Sequence, residues 1–97
     1  MGFTVYITSS AKKNAKRLPP KLRAEVIGYC ENFIALHPFE SEKLGPPLQE
    51  CRSLHFKSGG VHYRIAYRII EKEKRIDVVL IGSRENFYER LRQALRK

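Results

Sequence analysis

The sequence predicts a small single domain of the α+β class, in which helices and an antiparallel sheet occupy separate stretches of the chain. The length of 97 residues fits one domain, 1–97. An apolar stripe at helical spacing lies before residue 38, and alternating strand patterns follow residue 50. The predicted order is an N-terminal strand, two helices, a three-stranded antiparallel meander and a short C-terminal helix, with the helices on one face of the sheet.

The N-terminal part contains one strand and two helices. Residues 3–8 alternate aromatic or branched side chains with threonines, which is typical of a strand. Ser9 and Ser10 are candidate N-caps for a short helix, which two consecutive prolines end. A second helix follows and stops before Pro38. Its predicted buried stripe comprises Leu22, Val26, Tyr29, Phe33 and Leu36.

The C-terminal part begins with a loop and continues as a sheet. Residues 39–50 are rich in proline and charge, which predicts a loop. Three strands follow, separated by turns at SGG and EKEK, at about 51–57, 61–71 and 75–82. The third strand is apolar at nearly every position, so we expect it to be central or buried on both faces. Residues 85–97 place apolar side chains four apart and predict a short amphipathic helix.

The chain is strongly basic. It has 19 Lys and Arg against 10 Asp and Glu, for a formal charge of +9. Such an excess favours a polyanionic partner, either a nucleic acid or an acidic protein. A basic surface without a specific partner is the alternative.

The cysteines and the termini indicate an intracellular protein. Cys30 and Cys51 lie in no metal-binding spacing, which favours two reduced buried thiols over a disulfide framework. The N-terminus lacks the pattern of a signal peptide, and no run approaches the roughly 18 apolar residues of a membrane span. We therefore expect a cytoplasmic location and no membrane partner.

The central hairpin has two chemically different faces, because alternate side chains of a strand point to opposite sides. One face is apolar and should meet the helices: Leu54, Phe56, Val61, Tyr63, Ile65, Tyr67 and Ile69. The other face is largely polar and basic: Ser53, His55, Lys57, His62, Arg64, Ala66 and Arg68.

Pairing across the SGG turn gathers the basic groups of the second face. Lys57 then opposes His62, and His55 opposes Arg64, with Cβ atoms about 5 Å apart. These groups repel one another when charged, and neither strand supplies an acidic residue on that face. A bound phosphate would relieve the repulsion. An ordinary solvated sheet face is the alternative interpretation.

The end of the third strand supplies further candidates. Gly82 is a position for a bulge that would direct Arg84, whose face simple alternation leaves open. Tyr88 follows about one helical turn later. It is either a functional aromatic or a packing residue beside Phe87.

Two short segments carry a family resemblance, YRIAY in the central hairpin and GSRENFY near the end. Together with the element order, the size and the basic charge, they resemble the RelE/ParE toxin superfamily of bacterial toxin–antitoxin pairs over nearly the whole chain. RelE-like members cleave messenger RNA, commonly on the ribosome, whereas ParE-like members poison DNA gyrase and generally lack the catalytic set. The resemblance also implies an acidic antitoxin that binds the toxin surface.

The resemblance carries over to individual positions. Arg64 matches the arginine of the central strand, Arg84 the arginine after the glycine, and Tyr88 the aromatic near the end. His55 and Lys57 lie on the strand where RelE-like members keep basic residues. Ser83 departs from the family, in which several members have histidine or lysine, so an acid or base at that position is in doubt.

The predicted activity is that of an endoribonuclease without metal or cofactor, in which the 2′-hydroxyl of the RNA attacks the next phosphate. Histidine suits the proton transfers and arginine suits the phosphorane. In this hypothesis His55 is the base, and either His62 or Tyr88 is the acid. The candidate catalytic residues are His55, Arg64, Arg84 and Tyr88, and the candidate substrate-binding residues are Lys57, His62 and Arg68. A gyrase poison of ParE type and a nucleic-acid-binding module without cleavage are the alternatives.

Overall fold

A five-stranded mixed sheet organises the domain in the computed structural model, which describes residues 2–96. The elements in chain order are β1 (Thr4–Ile7), α1 (Ser9–Lys16), α2 (Pro20–Tyr29), β2 (Glu42–Lys43), β3 (Cys51–Ser58), β4 (Val61–Ile70), β5 (Arg75–Ser83) and α3 (Phe87–Leu95). The strand order is β1-β5-β4-β3-β2, with β1 parallel to β5 and the other pairs antiparallel. The predicted α+β class and element order are confirmed, with β2 as an additional strand inside the segment predicted to be a loop.

The central position of β5 follows from its apolar sequence. It lies between β1 and β4, and every residue from Ile76 to Gly82 is buried. Its pairing with β4 contains a bulge beside Ala66 and Tyr67, with Val79 as the extra residue. The expected bulge at Gly82 is wrong, because Gly82 pairs directly with Arg64.

The sheet has a hydrophobic core on each face. The first core packs α1 and α2 against the sheet: Ala11, Leu22, Val26, Cys30, Ile34, Phe56, Ile65, Tyr67, Ile76, Val78 and Ile81. The second core packs α3 and the loop after β2 against the opposite face: Leu44, Leu48, Cys51, Ala66, Val79, Leu80, Phe87 and Leu91. The expectation of helices on one face is therefore wrong. The residues of β5 are apolar on both sides, so both faces of the sheet need a covering layer.

The two N-terminal helices differ in detail from the predicted boundaries. Thr8, rather than Ser9 or Ser10, caps α1, and its hydroxyl accepts a hydrogen bond from the Ala11 amide at 3.3 Å. The helix α2 continues as a π-helical turn over Cys30–Ile34, in which the Ala35 amide bonds to the Cys30 carbonyl.

The π-helical turn changes which residues face the core. Because it is wider than an α-helical turn, Cys30 and Ile34 continue the buried row. Tyr29 and Phe33 are only partly buried, and Leu36 is 56% exposed. The predicted stripe is confirmed at Leu22 and Val26 and shifts by one residue beyond them.

The two cysteines are free and buried, as predicted. Cys30 belongs to the first core and Cys51 to the second, so the sheet separates them. Burial raises the pKa of each thiol to about 11, which keeps both protonated and unreactive at neutral pH. Within residues 2–96, none of the helices has the length and apolar character needed to cross a membrane.

Truncation of Leu91 tests the second core. Leu91 is fully buried beneath α3, so Leu91→Ala should lower the free energy of unfolding by about 2–5 kcal/mol in urea denaturation. The exposed neighbour Gln93 is the matched control, and Gln93→Ala should stay within about 0.5 kcal/mol of the wild type. Equal stability of the two variants would contradict the packing of α3 on this face.

Candidate active site

The turn between β3 and β4 sets the geometry of the basic face. Gly59 and Gly60 have φ angles of +56° and +80°, which residues with a side chain rarely adopt. This two-residue turn matches the twist of the flanking strands and fixes their register. His55 pairs with Arg64, and Lys57 pairs with His62. The predicted register is confirmed.

Arg64 is the centre of a four-residue group that we call the Arg64 cluster, comprising Glu42, His55, Arg64 and Tyr88. Its side chain is only 15% exposed. Nη1 of Arg64 contacts Nε2 of His55 and donates a hydrogen bond of 2.7 Å to the phenol oxygen of Tyr88. The guanidinium carbon also lies 5.1 Å from the centroid of the Tyr88 ring, within range of a cation–π interaction.

Glu42 is a functional candidate that the sequence analysis missed. It lies on β2, opposite Ser53, and its Oε1 is 3.0 Å from His55 Nε2 and 3.9 Å from Arg64 Nη1. The expectation of a face without an acidic counter-charge therefore holds for β3 and β4 but not for the folded site. With only two residues, β2 is too short to show the alternation of a strand, and the nearby prolines predicted a loop instead.

His55 is held in its neutral form. Burial and the neighbouring Arg64 cation lower its pKa below the ordinary value, and Glu42 partly offsets that change. Both neighbours contact the same nitrogen, so Arg64 favours a lone pair at Nε2 whereas Glu42 favours a proton there. The net lowering leaves a neutral imidazole that is able to accept a proton at neutral pH.

Tyr88 reaches the cluster because α3 covers the second face of the sheet. Its neighbour Phe87 is 1% exposed and anchors the start of the helix in the second core. Tyr88 itself is 40% exposed, with its phenol oxygen on Arg64. The sequence left open whether Tyr88 packs beside Phe87 or belongs to the site, and the structure shows both contacts: the two rings pack edge to face with centroids 6.0 Å apart, and the phenol oxygen meets Arg64.

Arg84 and His62 lie beside the cluster. The Arg84 amide donates a hydrogen bond of 3.1 Å to the His62 carbonyl, and its exposed side chain follows the end of β5. Both residues line a cavity of about 540 Å³ together with Ser83. The structure thus places Arg84 next to His62, and among the described contacts Arg84 has none with the Arg64 cluster.

Arg68 is separated from the other basic residues. It lies four residues along β4 from Arg64, about 13 Å at 3.3 Å per residue, and the buried Ala66 lies between them. Its guanidinium is 3.5 Å from Glu50 and 3.7 Å from Asp77. These ion pairs indicate a structural role for Arg68, which shares the face of Arg64 as predicted, and substrate binding by Arg68 stays a prediction.

A second cavity flanks the cluster on the side of α3. It measures about 310 Å³ and is lined by Glu42, Tyr88, Arg92 and the loop 44–48. Two residues of the Arg64 cluster, Glu42 and Tyr88, thus line this second cavity, whereas the cavity at His62 and Arg84 is lined by residues outside the cluster. Within the described part of the chain, no three His, Cys, Asp or Glu side chains are grouped closely enough to hold a metal ion.

Comparison with known proteins identifies the family. The profile of ParE-like toxins of type II bacterial toxin–antitoxin systems matches residues 5–92. The chain belongs to this family. The matched range spans the sheet except Thr4, the whole Arg64 cluster and most of α3, so it includes the candidate site.

Relatives of this ParE-like toxin carry RelE-type names. It is 26% identical over 90 residues to toxin RelG of Mycobacterium tuberculosis, covering 93% of this chain and 100% of RelG. It is 29% identical over 87 residues to toxin RelE of the same organism, covering 89% and 86% of the two chains. A chain of the M. tuberculosis toxin–antitoxin complex RelBE2 has the same fold, with a TM-score of 0.79, 22% identity and coverage of 87% and 100%. The predicted RelE/ParE superfamily is confirmed.

The contacts of the Arg64 cluster predict how two substitutions change the pKa of His55. Arg64→Gln should raise the pKa of His55, because it removes a cation that disfavours the imidazolium, and Glu42→Gln should lower it further. Titration of the His55 ring protons by NMR measures both changes. Lys13→Gln, which removes an exposed cation from α1, is the control and should leave the His55 titration unchanged. The same His55 pKa in wild type and Arg64→Gln would contradict the described contact.

Proposed function

We propose that this ParE-like toxin is a metal-independent endoribonuclease that cleaves messenger RNA, in the cytoplasm and on the ribosome. The observation that supports this proposal is the convergence of a neutral imidazole, a guanidinium and a phenol at Arg64. These are the three groups that attack by a 2′-hydroxyl needs: a base, a ligand for the phosphate and an acid. The net charge of +9 favours the approach of a polyanion.

His55 is the base in this mechanism. Its Nε2 accepts the proton of the 2′-hydroxyl, and the 2′ oxygen then forms a bond to the adjacent phosphorus. The lowered pKa supports this role, since it keeps the lone pair available. Glu42, whose Oε1 is 3.0 Å from the same nitrogen, stabilises the imidazolium once it has formed.

Arg64 stabilises the phosphorane. Its guanidinium is permanently charged and presents planar donors that match phosphate oxygens. The low exposure of its side chain, 15%, strengthens the electrostatic interaction. The contacts with His55 and Tyr88 hold the guanidinium before the substrate arrives, which limits reorganisation during the reaction.

Tyr88 is the acid in this mechanism. Its oxygen accepts a hydrogen bond from Arg64, so its own proton is free to transfer to the leaving 5′ oxygen as the P–O bond breaks. The products are a 2′,3′-cyclic phosphate and a 5′-hydroxyl. His62 is the weaker candidate for the acid because it lies outside the Arg64 cluster. It pairs with Lys57 and lines the neighbouring cavity. Lys57, His62 and Arg84 bind the RNA backbone beside the scissile phosphate.

Cleavage assays with purified ribosomes and a labelled message test the proposal. Arg64→Ala should lower the cleavage rate about 10²- to 10³-fold, the loss typical of one transition-state donor. A message methylated at its 2′-hydroxyls should resist cleavage, and mass spectrometry should detect cyclic phosphate ends. Lys13→Ala, on the opposite face, serves as the control with a wild-type rate. Undiminished cleavage by Arg64→Ala would overturn the assignment.

A gyrase poison is the second candidate function, because the matching family profile is named for ParE. Both activities are measurable on the same preparation. Inhibition of DNA supercoiling by purified gyrase, without cleavage of ribosome-bound message, would replace the ribonuclease proposal. Binding of RNA without cleavage or gyrase inhibition would instead favour a simple nucleic-acid-binding module.

We also propose that an acidic antitoxin binds this toxin, as the name of the RelBE2 complex indicates for its own toxin. A groove of about 580 Å³ between β1, α1 and α2 supports this partner. Its floor is apolar and Ile27 at its edge is 49% exposed, whereas Lys12 and Lys16 lie on its rim. An apolar floor with a cationic rim fits an amphipathic acidic segment.

A charge in this groove should weaken antitoxin binding without affecting the fold. Ile27→Asp should lower the affinity for the cognate antitoxin about tenfold or more by calorimetry, because it places a carboxylate on the apolar contact. Leu36→Asp is the matched control, since Leu36 is 56% exposed and lies outside the groove. Equal affinities of the two variants would exclude this groove as the antitoxin site.

A further inference from the structure

Gly82 has no side chain, and the space where a side chain would stand lies at the edge of the candidate active site. It pairs directly with Arg64, so a side chain at Gly82 would lie on the face that carries the Arg64 cluster. A Cβ atom at this position would be 2.7 Å from Nη1 of Arg90 and 3.2 Å from its Nη2. The guanidinium of Arg90 therefore occupies the space that the glycine leaves, next to Arg64.

The helix α3 delivers two side chains to the same pair of strands. Tyr88 and Arg90 are two residues apart, which places them about 200° apart around the helix axis. Phe87 and Leu91 are buried beneath the helix. Tyr88 reaches Arg64 on β4, whereas Arg90 reaches Gly82 on β5.

The guanidinium of Arg90 is half-buried and unpaired. Among residues 2–96, it makes no hydrogen bond or ion pair. Other arginines of the chain do have partners: Arg23 and Arg52 donate to backbone carbonyls, and Arg75 donates to Asp77. The five donors of Arg90 are therefore available to a ligand, and the nearby positive charge of Arg64 adds repulsion. An anionic ligand would satisfy these donors and relieve the repulsion.

We propose that Arg90 is a substrate-binding residue that contacts the phosphate adjacent to the scissile one, and that its guanidinium occupies the space left by the missing side chain of Gly82. The inference depends on the ribonuclease function proposed above and extends it. Among the described hydrogen bonds, Arg90 has none with His55 or Tyr88, whereas Arg64 contacts both, so Arg90 lies farther from the reacting atoms. Arg90 thus contributes to RNA affinity and register and leaves the chemical step to the Arg64 cluster.

Binding of a single-stranded RNA with methylated 2′-hydroxyls, which cannot be cleaved, tests this role. Loss of one phosphate contact lowers the slope of log affinity against log salt by about 0.7, or about fivefold in affinity at 0.1 M salt. Arg90→Gln should show this loss and raise KM for cleavable RNA, with kcat nearly unchanged. Arg90→Lys should recover part of the affinity.

Two variants separate a specific contact from the general effect of charge. Arg96→Gln removes one positive charge from the exposed end of the same helix and should keep the wild-type slope. Gly82→Ala keeps the charge but displaces the guanidinium, so it should reproduce the loss seen in Arg90→Gln. The double variant with Gly82→Ala and Arg90→Gln should lose no more RNA affinity than Arg90→Gln alone. Circular dichroism checks that each variant is folded.

The outcomes distinguish the two proposals. If the wild-type protein cleaves RNA but Arg90→Gln and Arg96→Gln have equal slopes of log affinity against log salt, the role of Arg90 is overturned. The ribonuclease proposal then stays intact. A lower kcat with unchanged KM in Arg90→Gln would also overturn it, since the residue would then act in the chemical step. Wild-type protein that neither binds nor cleaves RNA would overturn the ribonuclease proposal and this inference with it.

Discussion

The register of β3 against β4 is the constraint on which the candidate site depends. Side chains alternate along a strand, so a slip by one residue would move the imidazole of His55 to the opposite face from the guanidinium of Arg64. The turn at Gly59 and Gly60 prevents that slip, because both residues have positive φ and connect the strands with only two residues between them. The position of the chemical groups thus follows from the turn.

The sheet face that carries Arg64 has an apolar, covered part and a polar part. Near Ala66 and Leu80 it is apolar and covered by α3, whereas near Arg64 it is polar and open. The helix ends the covered part and contributes Tyr88 at the boundary. The buried residues of α3 thus stabilise the fold and also position the phenol of Tyr88 at the candidate site.

The distribution of charge separates structural cations from those at the site. Arg68 and Arg75 meet Asp77, which is 6% exposed, so these charges are compensated within the fold. At the Arg64 cluster, Glu42 is the only carboxylate among the described ion pairs. Beside the cluster, the exposed side chains of Lys57 and Arg84 belong to none of the described ion pairs, so their positive charges stay uncompensated next to the candidate site.

The sequence by itself determined the fold class, the element order and the pairing of His55 with Arg64, because periods of 2 and 3.6 residues and a two-glycine turn are local properties. Tertiary structure alone decided that α3 covers the second face, that Glu42 enters the Arg64 cluster and that Arg68 pairs with Glu50 and Asp77. A two-residue strand has no period to detect, and the side of a sheet on which a helix packs depends on contacts between residues far apart in the chain.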